Sequence, residues 1–571
     1  MKRSLLLNFL GIFLFGFAVI YACYVGLPVD FNSDYIASNI RGADSLSYLK
    51  LIRLTLNPLT PAWFYPSAGL MEYLRPLQFL LMKLFFDWFH YSLIPFHVST
   101  AVGHGFLLTI FALIIFYYTR SILLSWLGAL LYASFPSNFF MLVSTFALDF
   151  QFFLSILTLV ALFLFGLLTF GKLKSKLSFF LGVLGWICAS WLAIKLKSSE
   201  KIIPFICLAF LIFRLRFVIG RIGLLRMWIL ILGIAGMMIL VIPFKPFESW
   251  TNDQGFTSKE TASIQPSSEK DKQTLSFQWN NLLERTFFVP GGEFPFTTVV
   301  RRNIPQSFTE NYGFFLGWLF WVSLLLTPIV LARSKVSTDL PFRDQEGEMK
   351  RHCFWLMLIW FGATIAGFAN GLNVRDIRLL NFAYVPSVLL LFMMVGTLEQ
   401  NFFSAAKKRL FFRIAVAVFV LYTSFSNFFI LAKLLGHFGG FQNALVRAEK
   451  DVFQSFYHES PDERTLYERH QDLENRALVV DWYQLPENWF QAAVEKLNRE
   501  KTVYVYTRTA QSERLEKFKT AGYEPIFLKR YDFLDAKPLI FRAFKRVAEV
   551  KHLTGTSGKE NAILVYQIKG S

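Results

Sequence analysis

The chain has 571 residues, of which 54% are hydrophobic and 17% charged, and it carries 66 phenylalanines. A water-soluble protein of that length could not hide so much apolar surface, so part of its solvent is lipid. The formal charge of +18 does not point to nucleic acid, because the basic residues flank apolar runs instead of alternating with aromatics along a groove.

A membrane-spanning helix needs about 20 mostly apolar residues. In chain order such runs are Leu5–Val25, Leu93–Tyr117, Ile122–Phe140, Phe150–Phe170, Leu177–Ile194, Ile202–Phe213, Met227–Pro243, Tyr312–Ala332, Cys353–Ala369, Leu379–Leu398 and Leu410–Leu434. They predict about eleven spans. The sixth is short, as in a half-helix or a tilted segment held by its neighbours. Met1-Lys2-Arg3 followed by Ser4 to Gly26 has the outline of a signal peptide. Its apolar stretch is too long and lacks a small-x-small cleavage site, so a retained anchor is expected. Ile20-Tyr21-Ala22-Cys23 has a faint likeness to a lipoprotein site, against which the many later spans weigh. Cys23, Cys188, Cys207 and Cys353 lie in or beside apolar runs. Their spacing suits neither zinc nor a disulfide framework.

Lys2/Arg3, Arg120, Lys172/Lys174/Lys176, Arg214/Arg216/Arg221/Arg226, Arg333 to Arg351 and Lys407/Lys408/Arg409/Arg413 fall on one side of the alternating spans. That side is expected to be cytoplasmic. The N-terminus is then inside, the C-terminal region outside, and the location the cell's inner (cytoplasmic) membrane. Residues 1–435 are expected to form a transmembrane module. Its loop 27–92 has interfacial aromatics (Trp63, Phe64, Tyr65, Phe85, Trp88, Phe89), and 245–311 forms a second large outer loop, polar in its middle. Residues 436–571 have the composition of a soluble domain. Ala477–Asp481, Thr502–Thr507 and Pro525–Lys529 read as strands, with helices over Glu487–Arg499 and Gln511–Ala521. This order predicts a small α/β unit with a parallel sheet. The expected fold class is an all-α polytopic membrane protein with a small extracytoplasmic α/β domain. No glycine-rich phosphate loop follows the first strand, and no internal repeat is visible.

Charges on the outer side run against the positive-inside bias, and charges at a membrane boundary are costly to desolvate. Asp34 follows the first span. It reads equally as a solvated loop carboxylate or as a general base for an acceptor hydroxyl. Arg75, before Pro76, is held extended, and a guanidinium fixed there can grip a phosphate. His97 and His104 are two turns apart on one helix face. Packing explains them more simply than metal binding, for which no Cys/His partner is evident. Asp149 opens the fourth span, where capping alone would favour a carboxylate. Lys195, Lys197, Glu200 and Lys201 lie between the fifth and sixth spans, and Arg375, Asp376 and Arg378 between the ninth and tenth. Such cations call for an anionic partner, although Asp376 could simply pair with an arginine. Together, two carboxylates and several cations beside an apolar body suit a lipid-phosphate donor.

On these segments the sequence resembles the GT-C superfamily of polytopic glycosyltransferases, most of all the O-mannosyltransferase-type branch with the tetratricopeptide-bearing membrane mannosyltransferases. Phe31-Asn32-Ser33-Asp34 resembles the acidic motif after the first span, and Tyr73–Leu77 the Arg-Pro-Leu segment. Phe96-His97 through His104 resembles a His-x6-His pattern, and Leu148-Asp149 the second acidic position. Lys197-Ser198 with Pro204 resembles a Lys-Glu…Pro segment, and Arg378-Leu379-Leu380 with Tyr384–Ser387 the late Arg-Leu…Tyr-Leu-Pro-Ser segment. The chain departs from the family where Ser33 and Tyr35 flank Asp34, where Ser198 follows Lys197 with Glu200 displaced, and in lacking tetratricopeptides.

The resemblance implies an inverting glycosyltransferase taking one sugar from a dolichyl- or undecaprenyl-type polyprenyl-phosphate donor to an extracytoplasmic protein, glycan or lipid acceptor of the cell envelope. Asp34 and Asp149 would be catalytic. Arg75, Lys197, Arg375 and Arg378 would bind the donor phosphate, supported by His97, His104, Glu200 and Tyr384. The expected partners are the bilayer, the donor and the acceptor. No cofactor is expected; a divalent metal is compatible with the set but not called for. A transporter or flippase of an anionic lipid-linked glycan is the alternative, but it would show inverted repeats and charges deep in spans. A non-catalytic envelope-polysaccharide assembly factor is a third reading.

Overall fold

The computed structural model describes residues 2–25, 94–135, 151–169, 175–196, 202–241, 352–363, 377–403, 405–458, 476–480, 488–508, 515–532 and 562–569, with isolated positions at 77, 81, 84, 88, 539, 540, 542 and 543. The described helices of the membrane part are α1 (Lys2–Tyr24), α2 (Ile94–Thr119), α3 (Ile122–Ala133), α4 (Gln151–Thr169), α5 (Lys176–Leu196), α6 (Ile202–Phe213), the short α7 (Leu215–Ile222), α8 (Leu224–Val241), α9 (His352–Ala363), α10 (Ile377–Phe402) and α11 (Ala406–Tyr457). Five of the described helices are long and apolar enough to cross a membrane, and five shorter ones are apolar. The chain is a multi-pass membrane protein. The expected span Tyr312–Ala332 lies outside the described residues.

Local chemistry sets the helix ends. Arg120 adopts a left-handed φ of 52° and Ser121 is extended, which turns the chain sharply between α2 and α3. The Ser121 hydroxyl accepts from the Leu124 N–H at 3.4 Å, an N-cap. The run expected to continue to Phe140 stops as a helix at Ala133. Ser134 caps it, its hydroxyl donating to the Leu131 carbonyl at 2.8 Å, and Phe135 precedes Pro136, which disfavours helical geometry at the preceding residue. α7 ends at Gly223, whose φ of 82° needs a residue without a Cβ.

α1 and α2 cross closely. A Cβ on Gly16 would stand 3.0 Å from the Gly105 Cα, and one on Gly105 would stand 2.8 Å from the Phe13 carbonyl oxygen. Small residues allow such backbone approach where no hydrophobic drive exists between helices in lipid. α3 is tied to α1 by the Trp126 indole, which donates to Asn8 Oδ1 at 3.2 Å. The outward faces remain apolar, as lipid requires. They include Leu6, Leu10 and Leu14 on α1 and Leu410, Ile414, Val418 and Phe425 on α11.

α11 has 52 residues, about 78 Å at 1.5 Å per residue, and runs unbroken through the expected domain boundary at 435. Its distal half seats a four-stranded sheet made of β1 (Leu478–Val480), β2 (Thr502–Arg508), β3 (Pro525–Asp532) and β4 (Ala562–Lys569), in the order β1-β2-β4-β3. β1 and β2 are parallel as expected, but β4 is antiparallel to both β2 and β3. The sheet is therefore mixed, and the parallel-sheet expectation is corrected. Alternation along β2 gives the sheet two buried faces. Val503 and Val505 pack with Phe518 and Leu497, beneath α12 (Asn488–Arg499) and α13 (Glu516–Thr520). Tyr504 and Tyr506 join the larger core together with Ala444, Ala448 and Val452 of α11.

Candidate functional site

Ring contacts show which helix ends meet. Tyr24, the last residue of α1, lies 3.9 Å (ring centroids) from His97 in the first turn of α2. His104, about 10 Å further along α2, meets Phe152 of α4 at 4.8 Å and Tyr132 of α3 at 6.3 Å. Phe135 contacts Tyr132 at 6.0 Å and Tyr384 of α10 at 5.1 Å. The end of α1, the starts of α2 and α4, the end of α3 and the N-terminal half of α10 therefore occupy one end of the bundle. α5 starts at Lys176, soon after α4 ends at Thr169, and packs along it with Trp186 against Phe165, so it turns back and carries Leu196 toward that end.

Asp34, Arg75, Asp149, Lys197, Glu200 and Arg375 lie outside the described residues. Arg378 is placed by its backbone in the first turn of α10, and its side chain is outside the description. The described helix ends to which these residues connect in sequence are those just brought together. Asp34 follows α1, Asp149 precedes α4, Lys197 follows α5, and Arg378 opens α10.

The supporting residues are described in part. His97 and His104 are buried. His104 Nδ1 sits 2.8 Å from the Gly16 carbonyl oxygen. A carbonyl can only accept, so Nδ1 carries the proton and Nε2 presents a bare lone pair. That Nε2, like His97 Nδ1, is buried with no partner among the described residues. Tyr384 is packed on Phe135, and its carbonyl accepts from the Ser387 hydroxyl at 3.0 Å. Among the described residues no three His, Cys, Asp or Glu side chains form a set able to hold a metal.

The α/β unit is fixed over the same end. The Leu539 N–H donates to the Val25 carbonyl at 2.8 Å, directly after α1. Arg447 Nη2 donates to the Asp532 carbonyl at 2.8 Å, and Lys529 Nζ and Tyr531 OH donate to Asp451 Oδ2 at 2.7 and 2.6 Å. Partial burial of Asp451 works to raise its pKa. The hydrogen bonds from Lys529 and Tyr531, with the charges of Lys529 and Arg447, outweigh it and hold the carboxyl below its usual range.

Two polar features escape a reading by apolar runs. Asn427 of α11 donates to the Ser134 hydroxyl at 3.4 Å beside buried Thr423 and Ser424, a polar turn within a candidate span. At the opposite end, buried Glu399 accepts from Arg413 Nη2 at 2.6 Å and Nε at 3.0 Å, with Arg409 Nε at 3.4 Å. The signal is a polar side chain inside an apolar run in the first case, and an acidic one directly after a run in the second.

No protein-family model matches the sequence, and no curated protein matches it. Among solved structures, the chain is similar to the apo form of the Archaeoglobus fulgidus oligosaccharyltransferase, with a TM-score of 0.45 and 13% identity over 92% of this chain and 73% of that one. A likeness that loose does not fix the fold.

Proposed function

We infer that the chain is an integral-membrane glycosyltransferase of the GT-C type, moving one sugar from a polyprenyl-phosphate donor to an acceptor outside the cytoplasm. The observation that carries this reading is the gathering at one bundle end of the helix termini joined to Asp34, Asp149, Lys197 and Arg378. Paired arginines, by contrast, are held at the other end by Glu399. Anchoring carboxylates and cations at a lipid boundary suits a substrate with an anionic head and an apolar tail.

In the proposed reaction the acceptor oxygen attacks the anomeric carbon from the face opposite the phosphate. A new C–O bond forms as the bond from the anomeric carbon to the phosphate oxygen breaks, inverting that centre. Asp34 takes the acceptor proton, and Asp149 is the second carboxylate of the site. Arg75, Lys197, Arg375 and Arg378 stabilise the polyprenyl phosphate that departs with the electron pair. His97, His104, Glu200 and Tyr384 support the walls.

Purified chain incubated with a panel of radiolabelled polyprenyl-phosphate sugars should release or transfer label from at least one donor. Arg378→Ala should raise the apparent dissociation constant for that donor more than it lowers turnover. An unchanged donor affinity would remove Arg378 from the phosphate site. Absence of transfer from every donor, with bound donor exchanged between leaflets instead, would favour the flippase reading.

A further inference from the structure

The end of the bundle opposite the candidate site has two basic corners, and they differ in what answers their charge. At the α10–α11 corner, Glu399 takes up Arg409 and Arg413 internally. At the α5–α6–α7–α8 corner the described residues supply no such carboxylate. Residues 175–196 and 202–241 contain no Asp or Glu, and Lys176, Arg216 and Arg226 form no ion pair among the described residues.

Geometry adds to the charge. α7 is pinned, with Val218 and Ile222 buried in the core and Phe217 packed on His352 at 4.2 Å. Arg226 lies over the Phe179 ring at 5.0 Å, joining the first turns of α8 and α5. Around these cations Leu177 (68%), Phe180 (63%), Phe213 (73%) and Leu225 (76%) stand exposed. Cations ringed by outward apolar side chains at a span end match a phosphate group above acyl chains.

We propose that this corner, built on Lys176, Arg216 and Arg226, is a binding site for an anionic phospholipid of the adjoining leaflet. The lipid phosphate faces the cations, and its acyl chains lie against Leu177, Phe180, Phe213 and Leu225. The site is separate from sugar transfer and stands whether or not that activity is found.

The test is native mass spectrometry of the purified full chain titrated with palmitoyl-oleoyl phosphatidylglycerol or the matching phosphatidylcholine. Wild type should retain phosphatidylglycerol in preference. At roughly fivefold per cation, Arg216→Gln/Arg226→Gln should weaken it about thirtyfold. Lys517→Gln/Lys519→Gln, the same charge loss on α13 of the α/β unit, should change it by less than about fivefold. Arg216→Lys/Arg226→Lys should keep most of the binding. Should the Gln pair not purify as a monodisperse species, Arg216→Gln alone, at an exposed position, should show about a fivefold loss. Equal retention of the two lipids, or equal loss in the two double variants, would overturn the proposal.

Discussion

The α1–α2 crossing offers a sharp test of the packing on which the site end depends. In Gly105→Ala the new methyl would stand 2.8 Å from the Phe13 carbonyl oxygen, closer than real Cβ atoms come, and 2.9 Å from the Phe13 ring. The helices must part. Overpacking of this kind costs about 1–3 kcal/mol. Parting them also strains the His104–Gly16 hydrogen bond of 2.8 Å, worth about 1 kcal/mol net. The sum, roughly 2–4 kcal/mol, corresponds to about thirtyfold to a thousandfold in the folded fraction. Gly103→Ala is the control, because the atoms nearest its new methyl belong to the Phe153 side chain, at 2.9 Å, and not to backbone. Phe153→Leu should therefore rescue Gly103→Ala, whereas Phe13→Leu should leave Gly105→Ala destabilised, since the carbonyl stays in place. The assay is the midpoint of SDS-induced unfolding read by tryptophan fluorescence in purified protein. Gly105→Ala as stable as wild type, or fully rescued by Phe13→Leu, would refute the close crossing.

Other perturbations address the remaining contacts. Arg413→Ala leaves Glu399 buried with, among the described residues, only Arg409 at 3.4 Å and should lower thermal stability by about 3 kcal/mol. Glu399→Gln, which strands no buried charge, should cost less, and the reverse order in a thermal-unfolding series would contradict the pairing. Asp451 has a lowered carboxyl pKa in the folded protein. Its contribution is therefore complete above the ordinary value of 3.8 and is lost as pH falls through the lower folded value. Limited proteolysis of the α/β unit should accelerate with acid below about pH 4 in wild type and less so in Asp451→Asn; equal acid sensitivity would remove Asp451 from the seat. Lys517→Cys, at an exposed position of α13, should react with a membrane-impermeant thiol reagent on intact cells, and labelling only after lysis would reverse the proposed orientation.

Much of the membrane architecture is legible because desolvation in lipid writes it directly into the sequence. α6 occupies its expected Ile202–Phe213 run to the residue, bounded by Lys201 and Arg214, which cannot enter the hydrocarbon cheaply. Legibility fails where another force takes over. α11 was expected to end near Leu434 but continues to Tyr457. Beyond the span its helix is held by a stripe at Ala444, Ala448 and Val452 that the sheet buries, and no hydropathy window sees a four-residue period. Strand patterning picks out β1, β2 and β3 but misses β4, although Ala562–Lys569 is a continuous run rich in Ile, Val and Leu. Such a run is what a central strand buried on both faces requires, and here it sits between β2 and β3. At the site, residue types announced candidates, but the alignment of helix ends is a tertiary property. It emerges only from contacts such as Tyr24 with His97 and Phe135 with Tyr384. The orphan lone pair of His104 is likewise visible only once Gly16 is seen to engage Nδ1.

The central claim concerns Asp34, and the most direct measurement is transfer of radiolabel from the active polyprenyl-phosphate sugar by Asp34→Asn, purified in the same monodisperse state as wild type. The account predicts that transfer falls to background while donor binding persists, because the amide cannot accept the acceptor proton. Wild-type transfer by that variant would contradict it.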